Sequence, residues 1–198
     1  MTTENSTFDP QNDEQWLAKV KEVMGQLDDQ DAEAVVQNFI KYLSGEMTYF
    51  EYEGKEAEDY SEAIQLAYSL LRNKKAADAE KIFESLCFLD HKNVLFKLGY
   101  ASCLSKLGKL DEALTQYTLT LELDPLESSA RINRAEILYK LGYFDEPIEE
   151  LNYALSHSKA ERDSWLSRAR ALVKNIAEEK QKLKIPNQVG RVFHLPKH

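Results

Sequence analysis

No stretch of this sequence approaches the ~20 consecutive apolar residues that a bilayer-spanning helix requires. The opening segment, Met1 to Pro10, is polar and carries Glu4 and Asp9, so it does not read as a signal peptide. Only two cysteines occur, Cys87 and Cys103, both inside apolar helical patterns. Buried free thiols are expected there, not a disulfide framework, and nothing calls for an oxidising compartment. Glycine and proline are few, 7 and 5 in 198 residues, and 43% of the chain is hydrophobic, a composition ordinary for a globular protein. The four histidines, His91, His157, His194 and His198, show no metal-ligand spacing. There is no Gly-rich phosphate loop, nucleophile elbow or kinase signature. Neither metal nor cofactor is expected, and no enzymatic activity.

Basic charge is also short. The net charge of −9 is divided unevenly: residues 1–59 carry 4 basic and 15 acidic side chains, 60–161 carry 12 and 16, and 162–198 carry 9 and 3. Such a balance argues against nucleic-acid binding, which needs Lys and Arg to neutralise phosphates. A cytoplasmic protein without a membrane partner fits these absences.

What the chain does have is a repeat. Residues 60–93, 94–127 and 128–161 are three ungapped segments of 34 residues. Small residues recur at position 8 (Ala67, Ala101, Ala135) and at position 20 (Ala79, Ala113, then Pro147). Large apolar residues recur at position 11 (Leu70, Leu104, Leu138) and position 24 (Phe83, Tyr117, Leu151). Position 15 is a turn site, with Gly108 and Gly142 where a left-handed conformation favours glycine, and Asn73-Lys74 in the first copy. Asp124-Pro125 closes the second copy, and Pro147 follows Asp145-Glu146 as a first-turn proline can. This is the tetratricopeptide signature, a pair of helices per repeat. The fold class is therefore all-α, a tetratricopeptide superhelix of three repeats.

Helices flank the repeats. Trp16, Leu17, Val20, Val23, Met24 and Leu27 form one apolar stripe, and Ala32, Val35, Val36, Phe39, Ile40 and Leu43 a second, ending at Ser44-Gly45. The aromatic-rich Met47–Gly54 has no clear assignment. The N-terminal extension, 1–59, either dimerises, with Val35, Val36, Phe39, Ile40 and Leu43 as its contact residues, or folds back on the repeats. Trp165, Ala169, Leu172, Val173 and Ile176 mark a capping helix within 162–183, and the basic segment 184–198 reads as a tail.

In stacked hairpins of this type, positions 2, 5, 9, 12 and 13 of the first helix point into a concave groove. The candidate peptide-binding residues are thus Ile64, Tyr68, Leu71 and Arg72 in the first copy. Leu95, Leu98, Ser102 and Lys106 follow in the second, and Ile132 and Tyr139 in the third. An apolar floor with a basic row beside it favours an extended polypeptide with aliphatic anchors. Repeat proteins of this class that clamp a C-terminal carboxylate use Lys and Asn at positions 2, 5, 6 and 9. Here position 5 is aliphatic in every copy, so carboxylate clamping is not expected.

The run Phe83-Glu84-Ser85-Leu86-Cys87-Phe88-Leu89-Asp90-His91, with Leu98-Gly99-Tyr100-Ala101-Ser102-Cys103 downstream, resembles the class II type III secretion chaperones of the LcrH/SycD kind. Phe39-Ile40-Lys41, Ser44-Gly45 and Leu66-Ala67-Tyr68 sit in similar places, so the resemblance covers roughly residues 31–175. It implies a bacterial cytoplasmic chaperone that holds a hydrophobic translocator in its groove through an extended N-terminal segment, releases it without nucleotide, and self-associates through its N-terminal helices. The alternative is a generic scaffold or adaptor in a larger protein assembly.

Overall fold

The computed structural model describes residues 34, 37, 38, 40–157 and 164–184, and there is no strand among them. The chain divides into two compact units, Met1–Ser61 with Phe88–Asp90 and Glu62–Cys87 with His91–His198.

In the first unit the chain reverses at Ser44-Gly45, with Gly45 at φ +76° and the Met47 N–H donating to the Lys41 carbonyl at 3.0 Å. A capping box then starts helix α1 (Tyr49–Glu53). The Glu51 N–H donates to the Thr48 hydroxyl at 3.1 Å, and the Thr48 N–H donates to the Glu51 carboxylate at 2.6 Å. The unassigned aromatic segment is thus a short helix, followed by a 3₁₀ turn over Ala57–Tyr60. Its rings pack among themselves: Phe50 is buried and stacks on Tyr60 at 4.4 Å, while Tyr42 meets Tyr49 and Tyr52 at 6.0 and 5.7 Å.

Burial corrects part of the dimerisation expectation. Ile40 is buried within the single chain and so offers no surface to a second copy, while Leu43 stays exposed. Val35, Val36, Phe39 and the stripe at 16–27 lie outside the described residues.

Three helical hairpins follow, lying in the second unit but for Ser61, Phe88 and Leu89: α2 (Ser61–Arg72) with α3 (Ala76–Leu89), α4 (Val94–Lys106) with α5 (Leu110–Leu123), and α6 (Ser128–Lys140) with α7 (Asp145–His157). Helix α8 (Ser164–Lys182) packs on α6 and α7. The small residues at positions 8 and 20 are all buried, including Pro147 in the first turn of α7. So are Phe83, Tyr117 and Leu151 at position 24. The one polar residue at a core position, Thr120, donates its hydroxyl to the Gln116 carbonyl at 2.7 Å, which removes the cost of burying it. One cluster joins Leu104, Leu114, Tyr117 and Leu121 to Ile137 and Leu138 of the next hairpin, and another joins Phe144 and Leu151 to Ala169 and Ile176 of α8.

Two backbone positions set the turn and the helix spacing. Gly108 and Gly142 adopt φ +78° and +87°, and Lys74, at the same repeat position, adopts φ +62° despite its side chain. A left-handed residue other than glycine costs about 1–2 kcal/mol. Gly99 on α4 lies under the buried Phe83 ring of α3, where an added Cβ would stand 2.3 Å from a ring carbon.

Lys74→Gly is therefore expected to raise stability by about 0.5–1 kcal/mol, the relieved strain exceeding the added unfolded-chain entropy. Gly99→Ala is expected to lower it by about 1–3 kcal/mol through overpacking. Urea titrations followed by circular dichroism measure both; equal midpoints for wild type and G99A would show that the ring yields freely.

Candidate functional site

The first helix of each hairpin carries the expected groove residues at helical spacing: 64, 68 and 71 on α2, then 95, 98, 102 and 106 on α4. Leu95 is 55% exposed, while Ile64, Tyr68, Leu98 and Ser102 are half-buried. Leu71, expected in the groove, is instead buried in the core, and Arg72 and Lys106 are exposed. Tyr68 rests edge-on against Phe83 at 5.1 Å. Burial, with help from nearby Cys103 and Glu127, raises its hydroxyl above the ordinary tyrosine value. Leu98 packs by one side on the core shared by the second and third repeats. The first two repeats thus present a partly exposed apolar ridge.

The third repeat differs, and two of the expected groove residues need correction. Ile132 is fully buried, in the cluster that includes Ala169 and Ile176, because α8 covers the α6 face that bears it. It is a core residue. Tyr139 lies edge-on to Phe144 at 5.9 Å, and its hydroxyl donates to Glu179 of α8. Its ring is directed toward the cap.

In place of an apolar floor, the third repeat borders a polar cleft of about 290 Å³. Helix α4 contributes Ser102, Ser105 and Lys106 to it, and α6 contributes Asn133, Glu136 and Lys140. Helix α8 closes it with Trp165 and Arg168. Arg168 donates to Asn133 at 3.2 Å and to Glu136, with its guanidinium 5.3 Å from the Trp165 ring centre. Lys140 reaches the other Glu136 oxygen at 3.0 Å. Burial pushes the Glu136 carboxyl up, but the Lys140 hydrogen bond and the Arg168 charge together outweigh it, and the net shift is downward.

The Ser102 hydroxyl donates to the Leu98 carbonyl at 2.8 Å and lies 3.3 Å from the Tyr117 hydroxyl. Burial pushes Tyr117 up to about 12 against the hydrogen bonds of Ser102 and Asn133, and burial pushes the free thiol of Cys103 up to about 12 as well. Both groups are neutral at physiological pH, and neither is poised as a nucleophile or base. Among the described residues no three His, Cys, Asp or Glu converge to hold a metal, and no helix is long and apolar enough to cross a membrane.

Sequence spacing places Glu136 and Lys140 on the same helix face as the groove residues. It gives no sign of Arg168, whose helix lies beyond the 34-residue period.

A lowered carboxylate stabilises the fold above its unfolded value, and that stability is lost as the pH falls through the folded one. Glu136→Gln is therefore expected to cost about 1 kcal/mol at pH 7. Its deficit should shrink as the pH drops below the ordinary 4.5. Melting curves from pH 7 to pH 3 measure this, and a deficit independent of pH would exclude the charge as its source.

No protein-family model matches the chain. Over 80 residues it is 34% identical to the Low calcium response locus protein H of Yersinia pestis, and equally to that of Yersinia pseudotuberculosis. This covers 38% of the chain and 48% of either relative, so the chain spans about half the length of the curated relatives it matches. Among solved structures, the translocator chaperone SycD of Yersinia enterocolitica aligns with a TM-score of 0.59 at 26% identity, over 64% of this chain and 88% of that one. SycD in complex with a peptide of the translocator YopD aligns at 0.58 and 25%, over 63% and 97%. PcrH, of Pseudomonas aeruginosa, in complex with the chaperone binding region of PopD aligns at 0.59 and 26%, over 64% and 97%. In its helical-repeat fold and over an 80-residue stretch of sequence, this chain is similar to the class II type III secretion translocator chaperones.

Proposed function

We propose that this protein is a bacterial cytoplasmic chaperone of type III secretion translocators, holding an extended apolar client segment against the inner face of its first two repeats. The observation that carries the reading is Leu95, 55% exposed on α4 beside half-buried Leu98 and on the same repeat face as Ile64 and Tyr68 of α2. Exposed aliphatic surface of this kind is stabilised when a partner covers it. The similar proteins SycD and PcrH have been solved with translocator segments bound, a peptide of YopD and the chaperone binding region of PopD. Capture on this face keeps the client's apolar segment from aggregating. It needs no chemistry, so the role is that of a binding protein and not of an enzyme. The client leaves by competition for the same contacts, without nucleotide. A second copy of this chain is the further partner, as SycD has been solved in an alternative dimer.

The test is co-expression with the hydrophobic translocators of the source genome, isolation of the soluble complex, and fluorescence anisotropy with the client's protected segment. Leu95→Glu is expected to weaken binding roughly 10- to 100-fold, the loss of one anchor of ~1.5–3 kcal/mol, with the helical spectrum unchanged. Ile132→Glu should instead unfold the third repeat. Undiminished affinity in L95E moves the client off this face.

A further inference from the structure

The polar cleft beside the apolar ridge has more positive charge than its own carboxylate answers. Three cations line it, Lys106, Lys140 and Arg168, against the single carboxylate of Glu136. Arg168 and Lys140 are both engaged by Glu136, and Asn133 fixes the guanidinium further. Lys106, the last residue of α4, has no carboxylate partner among the described residues. Hydroxyls of Ser102 and Ser105 line the same wall. The cleft therefore offers fixed donors and two surplus positive charges, in a chain whose net charge is −9. Its α4 wall continues directly from Leu95 and Leu98, since Leu98, Ser102 and Ser105 follow one another on adjacent turns of one helix face.

We infer that this cleft is a subsite for an acidic side chain of the client, which fixes the register of the apolar segment lying on the ridge. The inference rests on the chaperone reading above. Lys106 supplies the charge contact, the Ser105 hydroxyl donates to the second carboxylate oxygen, and the Glu136–Arg168 pair walls the end of the site. Lys106 lies eight residues beyond Leu98 on the same helix. That is about 12 Å of helix, or roughly four residues of extended chain. The client recognised is thus an extended segment with aliphatic anchors and an Asp or Glu about four residues from one of them. Aliphatic anchors alone bind in several registers with similar energy; a charge at a fixed distance selects one.

The experiment uses the full chain and an array of 15-residue peptides tiled across the hydrophobic translocators of the source genome. Every peptide is made in two forms, with its Asp and Glu intact or changed to Asn and Gln. The wild type is expected to retain the acidic forms of its best peptides about tenfold more strongly. Lys106→Glu, an exposed change, should erase or reverse that preference with no shift in melting temperature. Raising the salt from 50 to 500 mM should narrow the preference in the wild type and leave the variant unaffected. Equal retention of acidic and amide peptides by the wild type overturns the subsite while leaving the apolar ridge as the client site. So does a preference that survives in K106E. If no peptide of either form is retained, both the subsite and the chaperone reading fall.

Discussion

The helices of this array depend on close approach, and close approach depends on what is missing between them. Ala67, Ala79, Ala101, Ala113 and Ala135 are fully buried, and Pro147 takes the remaining place in the pattern. Larger side chains there would push the helices of a hairpin beyond the 8–10 Å at which ridges meet grooves. Gly99 extends the rule to the next interface, because the ring of Phe83 occupies the space a Cβ would fill. Phe83 in turn is the wall against which Tyr68 stands. The backbone spacing of α3 and α4 therefore sets where Tyr68 sits on the ridge. Packing and site are coupled through a single absent methyl group.

The same dependence explains why the third repeat is unlike the first two. A repeat buries its faces against neighbours, and the last one in a series must find another cover. Helix α8 supplies it with Ala169 and Ile176 against Ile132, and with polar ties from Lys180 to Asp145 and from Glu179 to Tyr139. Covering the end of the array removes an aliphatic residue from the inner face and brings Arg168 and Trp165 to it. The apolar ridge is thereby confined to α2 and α4, and the surface beyond it becomes charged.

Much of this was legible in the period. Positions 8, 20 and 24 are buried in every copy because each hairpin solves the same packing problem, so reading one copy reads the others. The glycines at 108 and 142 announced left-handed turns, and Lys74 adopts the same backbone because the period, not the residue, dictates that turn. Ile132 could not be read this way. At position 5 it is equivalent to Ile64 and Leu98, and only the course of α8, a contact more than 30 residues away in sequence, buries it. Arg168 was hidden for the same reason, since a single helix outside the repeat has no register to compare. The short helix over Tyr49–Glu53 was signalled by Thr48 and Glu51, a capping pair obscured by the surrounding aromatics.

The division of the inner face into an apolar part and a charged part bears on how such a protein holds one segment among many. Burying an aliphatic side chain contributes free energy in proportion to area and with little regard to direction. Leu95 and Leu98 therefore favour any apolar segment, in any register, which suits protection from aggregation but not choice. A charge contact at the cleft contributes less, because Lys106 is exposed and its pairing is screened. Yet that smaller term discriminates, since a segment that brings no acid, or brings a base, leaves the surplus cations unanswered. The acidic surplus of the chain is concentrated in residues 1–59, which carry eleven net negative charges, while 162–198 is basic. In the proposed subsite, that discrimination is what the surplus cations of the cleft would add to the apolar ridge.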